Sequence, residues 1–248
     1  MTLVKALKLS LAATVLLLLM GGVQAADSEA EKEERVRQGL ALLLPDLVPD
    51  AVSPSPVPGL YEVVVGPQII YITEDARFIL RGDVIDLEQR KNITQPRVDQ
   101  VKAQAVERIG EENMLIYAPD KTRHTVTVFT DIDCGFCRKM HKEMAEYHKH
   151  GIRIRYLLFP RAGVNSPSYR KAVSVWCSKD PRAAMTQAKL GKFLDDFVCD
   201  NPVAEHMALG EAMGVTGTPA LVFDNGEMIP GYIPPKRMAQ LLSARTGE

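Results

Sequence analysis

Hydrophobic positions in the first half of the chain change their spacing several times. Residues 27–44 carry Val36, Leu40 and Leu43 at helical intervals behind a charged start, which predicts an amphipathic helix. Five prolines between positions 45 and 58 then interrupt periodic structure and predict a turn-rich connector. Short β-like runs separated by turn residues follow at 60–65, 68–73, 77–81 and 84–87. We therefore expect a helix followed by a small antiparallel sheet.

This N-terminal unit, residues 26–91, is small for an independent fold. A unit of about 60 residues buries too little surface to be stable alone, and oligomerisation is a common remedy. We therefore expect an N-terminal dimerisation domain. Residues 92–112 are predicted to follow as a linker helix in contact with one neighbour, because their apolar stripe is narrow and consists of Val98, Val101, Ala105 and Ile109.

The second half alternates between strand and helix patterns. Residues 125–130, 134–150 and 152–159 predict a β-α-β unit. Most of 166–214 has helical periodicity, and a hairpin is expected around Asp224-Asn225-Gly226, with its strands at 220–223 and 228–229. Pro235 opens a final helix. The order of these patterns predicts an α+β protein whose catalytic domain spans residues 113–248.

The first 25 residues have the pattern of a cleavable signal peptide. Lys5 and Lys8 precede an apolar run, and small residues then lead to a cleavage sequence that ends at Ala25. The run is shorter than the roughly 20 residues that a membrane span needs. We expect export to the periplasm, with the mature chain starting near Ala26.

Composition narrows the choice of partners. The chain has 30 Lys and Arg residues against 31 Asp and Glu, a formal net charge of −1 at pH 7. This balance offers no general attraction for nucleic acid or for an anionic membrane surface. Nucleic acid is therefore not an expected partner.

The chain has four cysteines, at positions 134, 137, 177 and 199. An even number in an exported chain favours disulfides over free thiols, and four cysteines permit three pairings. Cys134 and Cys137 are close enough in sequence to bridge within one turn, so the favoured pairing is 134–137 with 177–199. No cofactor is expected beyond a redox-active Cys134–Cys137 disulfide.

The Cys134-Gly135-Phe136-Cys137 sequence stands between a predicted strand and a predicted helix. At a helix N-terminus, unpaired N–H groups and the positive end of the dipole favour the thiolate of Cys134, which would be the nucleophile. Cys137, inside the helix, would be the resolving thiol. Gly135 would let a substrate backbone approach, and Phe136 would offer an apolar surface.

Two alternatives concern His141. Together with Cys134 and Cys137 it forms a C-x2-C-x3-H spacing that could supply three zinc ligands, but nothing nearby completes a tetrahedron, so no metal is expected. A helix-packing or surface role is the favoured interpretation of His141, and electrostatic stabilisation of the thiolate is the alternative.

A second chemical feature is Gly217-Thr218-Pro219-Ala220, just before a predicted strand, where the X-Pro bond could be cis. Together with a strand-CxxC-helix unit, this loop resembles the thioredoxin superfamily. The resemblance implies that Thr218 and Pro219 face the active-site disulfide and that Thr218 presents backbone groups to an extended substrate.

Longer segments resemble the DsbC family of bacterial disulfide isomerases: FTDIDCGFCRKMH, RYLLFPRAG, VTGTPALVF, PGYIPPKRM and, more loosely, YITEDARFILRGDVIDL. The resemblance implies a V-shaped homodimer with a thioredoxin fold that contains a helical insertion. It implies that Cys177 and Cys199 form a structural bridge and that misfolded disulfide-containing secreted proteins are the substrates. It also implies that a membrane reductase of the DsbD type keeps Cys134 and Cys137 reduced.

The sequence departs from two related patterns. Phe136 stands where the DsbC family more often has tyrosine. Val128, six residues before Cys134, stands where thioredoxin has a buried acid, so proton transfer to and from Cys137 must use another route.

Two other functions remain open at this point. A DsbG-like enzyme would use the same cysteine pair to reduce sulfenic acids on single cysteines. A holdase-like binding module would bind unfolded chains without needing either active-site cysteine.

Overall fold

The computed structural model of the protein describes residues 27–193 and 195–246. The predicted signal peptide, residues 1–25, lies outside the described residues. Within the described ranges, no helix is both long enough and apolar enough to cross a membrane.

The chain begins with a helix packed on a four-stranded antiparallel sheet. A capping box starts the helix, because Ser28 Oγ accepts from the Glu31 N–H at 3.3 Å while the Glu31 carboxylate accepts from the Ser28 N–H at 2.7 Å. The elements are α1 (Glu29–Leu43), β1 (Ala51–Pro54), β2 (Leu60–Val65), β3 (Gln68–Thr73) and β4 (Ile79–Leu80), with the strands in that order across the sheet.

The core of this N-terminal unit is aliphatic. Val36 and Leu40 of α1 pack against the inward side chains of the sheet, including Val63 and Ile72. A Cβ atom on Gly39 would lie 2.2 Å from the Ala76 Cβ. The absence of a side chain at Gly39 therefore lets α1 approach the sheet closely enough to close this small core.

The strands differ from the sequence prediction at the edges of the sheet. β1 was not predicted, because it lies in the proline-rich connector. Its Pro54 pairs with Tyr61 at the end of an edge strand, a position where a residue without an N–H is tolerated. The predicted strands at 77–81 and 84–87 shorten to β4 and β5 (Ile85–Asp86), and β5 pairs with the unpredicted β6 (Lys91–Asn92).

The linker helix α2 spans Thr94–Ile109, and a short 3-10 turn follows at Glu111–Asn113. The Asn92 side chain accepts from the N–H groups of Thr94 and Gln95, both at 2.9 Å, which starts α2. Gly110, at a φ of 79°, ends it. The helix therefore stops before Glu112, the predicted end.

Helix α2 contacts both halves of the protein, so the prediction of a single neighbour was wrong. At one end, the Thr94 hydroxyl lies 2.6 Å from the Tyr71 hydroxyl of β3. At the other end, Val106 and Ile109 are buried in a core of the C-terminal domain. Val106 widens the apolar stripe beyond the positions that the prediction counted.

The C-terminal domain is built on a five-stranded sheet whose central strand is β8. Its strands are β7 (Leu115–Tyr117), β8 (His124–Thr130), β9 (Ile152–Leu158), β10 (Ala220–Phe223) and β11 (Met228–Pro230), in the spatial order β11-β10-β8-β9-β7. Strands β8 and β9 are parallel and the other pairs are antiparallel. The predicted β-α-β unit and hairpin are thus both present, whereas the three-residue β7 was too short to predict.

Helices cover both faces of this sheet. They are α3 (Gly135–Lys142), α4 (Met144–Lys149), α5 (Pro167–Trp176), α6 (Pro181–Lys189), α7 (Val203–Ala212) and α8 (Pro235–Thr246). The single helix predicted over 134–150 is divided at Glu143 into α3 and α4. The helical pattern of 166–214 forms α5, α6 and α7, and an irregular segment separates α6 from α7.

A disulfide joins Cys177, at the end of α5, to Cys199 in the segment before α7, with a Cα–Cα distance of 5.6 Å. The two cysteines are 22 residues apart in sequence. In the chain-entropy model, closing a loop of this length stabilises the fold by about 3 kcal/mol. The bridge thereby ties the irregular segment to the helical layer.

Candidate active site

Cys134 lies where the central strand β8 gives way to helix α3. It is the N-cap residue of α3, with extended backbone angles, and its sulfur accepts from the Cys137 N–H at a distance of 3.4 Å. A helix N-terminus presents N–H groups that lack partners within the helix. Cys134 therefore occupies the place at which a capping serine or aspartate would accept a hydrogen bond.

The environment of Cys134 lowers the pKa of its thiol. Burial acts in the opposite direction, but it is outweighed by interactions with the Thr218 side chain, with the Cys137 N–H and with the positive charge of Arg161. Each of these three favours the charged sulfur. Because the thiolate is the nucleophilic form, the site increases the reactive fraction of Cys134 near neutral pH.

Cys137 is one helical turn further along and has the opposite tendency. It is 1% exposed, against 4% for Cys134. Burial raises the pKa of the Cys137 thiol, although the Lys189 charge, the Asp131 backbone and the Thr130 hydroxyl oppose this increase. The structure contains both cysteines as free thiols. The pair thus combines one ionisable sulfur with one that tends to keep its proton.

The loop at Thr218-Pro219 lies directly opposite Cys134. The Thr218–Pro219 peptide bond is cis, and the Thr218 carbonyl oxygen is 3.1 Å from the Cys134 sulfur. The strand register explains this proximity, since Ala220, the first residue of β10, pairs with Phe129 near the end of β8. Two segments 84 residues apart are therefore brought to the same end of the sheet.

The Thr218 hydroxyl has no conventional partner in this loop. Among the described residues, the buried Oγ1 atom has no hydrogen-bond partner. The Thr218 side chain nevertheless lowers the pKa of both thiols. The Thr218 hydroxyl is thus free to interact with the active-site sulfur atoms.

An ion pair that the sequence reasoning missed lies beside Cys134. The buried carboxylate of Asp131 accepts from Arg161 Nε at 2.9 Å and from the Arg161 N–H at 3.2 Å. Its other oxygen accepts from the Asp133 N–H at 2.9 Å. The pair holds the turn before Cys134 and places a cation near its sulfur. Asp131 and Arg161 both belong to the quoted segments that resemble the DsbC family. That resemblance was the sequence signal that could have identified them.

Lys189 is the second residue that the sequence reasoning missed. It is the last residue of α6 and is only 2% exposed. Its ammonium group donates to Thr130 Oγ1 at 2.9 Å and to the Asp131 carbonyl oxygen at 3.2 Å. Burial lowers the pKa of Lys189 to about 8. The sequence signal that could have predicted its burial is its position in line with Met185 and Ala188, on an apolar stripe with i, i+3, i+4 spacing.

Phe136 and Tyr232 form an apolar surface beside the two thiols. Phe136 is 63% exposed, and its ring stacks on Tyr232 with a centroid separation of 6.4 Å. Lys139 Nζ lies 4.6 Å from the centre of the Tyr232 ring. A Cβ atom on Gly135 would meet nothing within 4 Å, so the space next to this surface is open. Sequence reasoning identified Phe136 but not Tyr232.

His141 packs inside the domain and does not carry a charge near the thiols. Its ring nitrogens lie 3.2 Å from the Tyr156 hydroxyl and 3.0 Å from the Thr186 hydroxyl. Burial, aided by the Lys189 charge, lowers the pKa of His141 to about 4. A neutral imidazole cannot stabilise a thiolate by charge, so the electrostatic alternative fails. Among the described residues, no group of three His, Cys, Asp or Glu side chains is arranged to hold a metal ion.

Comparisons with known proteins agree with this arrangement. Residues 111–246 match the family described as a thioredoxin-like domain, and residues 23–95 match the N-terminal domain of disulfide bond isomerase proteins. The chain is 36% identical over 230 residues to the thiol:disulfide interchange protein DsbC of Escherichia coli (strain K12), covering 92% of each chain. It is 38% identical over 232 residues to the DsbC of Salmonella typhimurium, with the same coverage of both chains.

A solved structure is also similar to part of the chain. The crystal structure of a disulfide interchange protein from Neisseria gonorrhoeae has 34% sequence identity and a TM-score of 0.49, covering 54% of this chain and 96% of that chain.

The substitution Thr218→Val tests whether the unpartnered hydroxyl acts on Cys134. The change keeps the shape of the side chain and removes its dipole, so the Cys134 pKa should rise while the fold is retained. Alkylation of Cys134 by iodoacetamide, followed against pH, should shift its midpoint to higher pH.

Thr186→Val is the matched control, because that hydroxyl contacts His141 and not sulfur. An alkylation profile of Thr218→Val that overlays that of the unsubstituted protein would show that the hydroxyl has no influence on the nucleophile.

Proposed function

Because the chain belongs to the DsbC family of thiol:disulfide interchange enzymes, we propose that it rearranges non-native disulfides in secreted proteins through Cys134 and Cys137. The observation that carries this proposal is the position of Cys134. Its sulfur caps a helix, has a lowered pKa and faces the cis Thr218-Pro219 loop at 3.1 Å.

The proposed reaction begins with attack by the Cys134 thiolate on a substrate disulfide. A mixed disulfide forms, and one substrate sulfur leaves as a thiolate. Another substrate thiol can then attack the mixed disulfide, which completes an isomerisation and regenerates Cys134. If no correct partner arrives, Cys137 attacks Cys134 and releases the reduced substrate. The opposite pKa shifts of the two thiols support this division of roles.

The surroundings of the site suit an extended, unfolded substrate. Backbone groups of Thr218 can pair with a substrate chain, a contact that depends on the main chain and not on its sequence. The stacked rings of Phe136 and Tyr232 add an apolar surface. The open space beside Gly135 leaves room for a substrate backbone. These features support broad recognition of misfolded proteins.

A homodimer is part of the proposal. Strand β4 is an edge strand of the N-terminal sheet, and an unpaired edge readily accepts a strand from another chain. Large apolar side chains are exposed along β4 and β5 and beside them: Phe78, Ile79, Leu80, Ile85 and Leu87. A second copy of the chain could cover this surface and place two thiol pairs in one assembly.

We place the enzyme in the periplasm, exported by a signal peptide at residues 1–25. The active-site cysteines must be reduced for Cys134 to attack, and a membrane reductase of the DsbD type is the proposed electron donor. Reduction of sulfenic acids, the DsbG-like alternative, would use the same thiols and is tested alongside isomerisation.

Reactivation of a scrambled multi-disulfide protein in glutathione buffer tests the function. The mature protein should restore activity, Cys134→Ser should reduce the rate to background, and Cys137→Ser should retain part of it, because substrate thiols can resolve the mixed disulfide. Failure of the mature protein to reactivate this substrate, with rapid reduction of a sulfenylated peptide instead, would favour the alternative. Full activity in the absence of both cysteines would indicate a binding module.

Sedimentation of the mature protein tests the dimer. The unsubstituted chain should sediment as a dimer, and Leu80→Asp together with Ile85→Asp should yield monomers, because two charges would be buried without partners. Val164→Asp is the control, since Val164 is an equally exposed apolar residue in the C-terminal domain. Monomers at all concentrations of the unsubstituted chain would rule out the dimer.

A further inference from the structure

Lys189 is a buried cation for which the reaction described so far has no role. It lies at the end of α6, among the helices that are inserted between β9 and β10. Beyond its hydrogen bonds to Thr130 and Asp131, its Nζ atom lies 5.6 Å from the centre of the Tyr156 ring. Burying a lysine is costly, and no carboxylate forms an ion pair with it among the described residues.

The Thr130 hydroxyl connects Lys189 to the resolving thiol. Thr130 Oγ1 accepts from Lys189 Nζ at 2.9 Å, and the Thr130 side chain also lowers the pKa of the Cys137 thiol. Lys189 also acts on Cys137 through its charge, which is the largest influence that favours the thiolate there. Thr130 is therefore bonded to Lys189 and, like Lys189, favours the thiolate of Cys137.

The other titratable side chains near Cys137 already have partners, and the Thr218 hydroxyl, which has none, is too weak a base to take up a thiol proton. The Asp131 carboxylate is bound by Arg161 and by the Asp133 N–H. Both ring nitrogens of His141 face the hydroxyls of Tyr156 and Thr186. Arg138 donates to the Ile132 carbonyl oxygen and to Asp133. Position 128 of β8 is a fully buried valine. Lys189 is thus the group placed to exchange a proton with Cys137.

We propose that Lys189 accepts the thiol proton of Cys137 through the Thr130 hydroxyl when Cys137 attacks the mixed disulfide. Lys189 thus acts through Thr130 as a positioning residue for the closing step, in which Cys137 attacks Cys134 and releases the reduced substrate. The inference rests on the proposed roles of Cys134 as nucleophile and Cys137 as resolving thiol.

The step balances without an outside reactant. The Cys137 proton passes to Thr130 Oγ1 as the hydroxyl proton passes to the neutral Lys189 amine. The electron pair on Cys137 sulfur forms the bond to Cys134 sulfur, and the bond between Cys134 and the substrate sulfur breaks. The substrate leaves as a thiolate. The two active-site thiols are oxidised to a disulfide and the substrate is reduced.

Neutral pH suits this exchange. With a pKa of about 8, Lys189 is mostly an ammonium group at pH 7 but has an accessible neutral form. The charge of Lys189 favours the thiolate of Cys137. Cys137 therefore loses its proton at a lower pH than a buried thiol with no cation beside it. Cys134, Asp131 and Arg161 complete the charged surroundings of the pair, and Arg138 acts on Lys189 from α3.

Reaction of the reduced mature protein with Ellman's reagent separates the two sulfur steps. The first release of thionitrobenzoate reports the attack of Cys134, and the second reports closure by Cys137. In Lys189→Met the second release should slow about tenfold at neutral pH, the effect of one unit in thiol pKa, and should recover as the pH is raised. Methionine has a similar length and no charge, so the buried site stays filled.

Two further variants isolate the effect. Lys192→Met removes a nearby exposed lysine by the same substitution and should leave both releases unchanged. Thr130→Val keeps the buried cation but removes the connecting hydroxyl, and should also slow the second release. If thermal unfolding shows that Lys189→Met does not fold, the second release in Thr130→Val decides whether the inference holds.

A second release in Lys189→Met that matches the unsubstituted protein across the pH range would overturn the inference, as would an unchanged second release in Thr130→Val. Failure of the proposed function looks different. In that case the unsubstituted protein would show no second release, or Cys137→Ala would show both.

Discussion

The pairing of the central strand β8 with β9 and β10 brings the segments that carry the active-site residues to the same end of the sheet. β8 ends at Thr130 and leads through Asp131 to Cys134, the parallel strand β9 leads to Arg161, and the antiparallel strand β10 begins just after the cis Thr218-Pro219 bond. Since these three strand ends meet at one end of the sheet, Cys134, Arg161 and the Thr218-Pro219 loop come together. A shift of β10 by one residue would turn Thr218 away from the sulfur.

Burial and local charge then give two chemically identical side chains different properties. Cys134 gains a helix N-terminus and Arg161, and its pKa is lowered, whereas Cys137 lies deeper and its pKa is raised. Environments that separate the pKa values of a pair commonly assign its chemical roles. Here the two environments support the proposed roles of Cys134 as the attacking thiolate and Cys137 as the resolving thiol. In the proposed closing step, the Thr130 hydroxyl connects that second thiol to Lys189, a proton acceptor at the end of α6.

Local patterns in the sequence predicted much of this arrangement. Strands β2, β3 and β10 have the predicted bounds, because alternating apolar residues between turn residues are a local signal. The CGFC position at a helix start and the Thr218-Pro219 loop were likewise visible from short motifs. The strand predicted at 77–81 shortened to β4, and β7 was not predicted, since strands of two or three residues depend on their partners and not on their own pattern.

The missed site residues share one physical feature: their roles depend on contacts between distant segments. Lys189 lies 59 residues from Thr130, and Tyr232 approaches Phe136 from beyond β11. A lysine on a helix is usually solvated, so burial of its ammonium group emerges only when α6 packs over the end of β8. The same packing keeps His141 neutral, which the CxxC-x3-H spacing alone could not show.

Trapping the mixed disulfide tests the central claim most directly. Cys137→Ala, incubated with a scrambled multi-disulfide protein, quenched in acid and digested, should yield peptides in which Cys134 is linked to substrate cysteines. Cys134→Ala, treated in the same way, should yield none linked through Cys137. Linkage through Cys137, or no linked peptide in either variant, would contradict the account of Cys134 as the nucleophile.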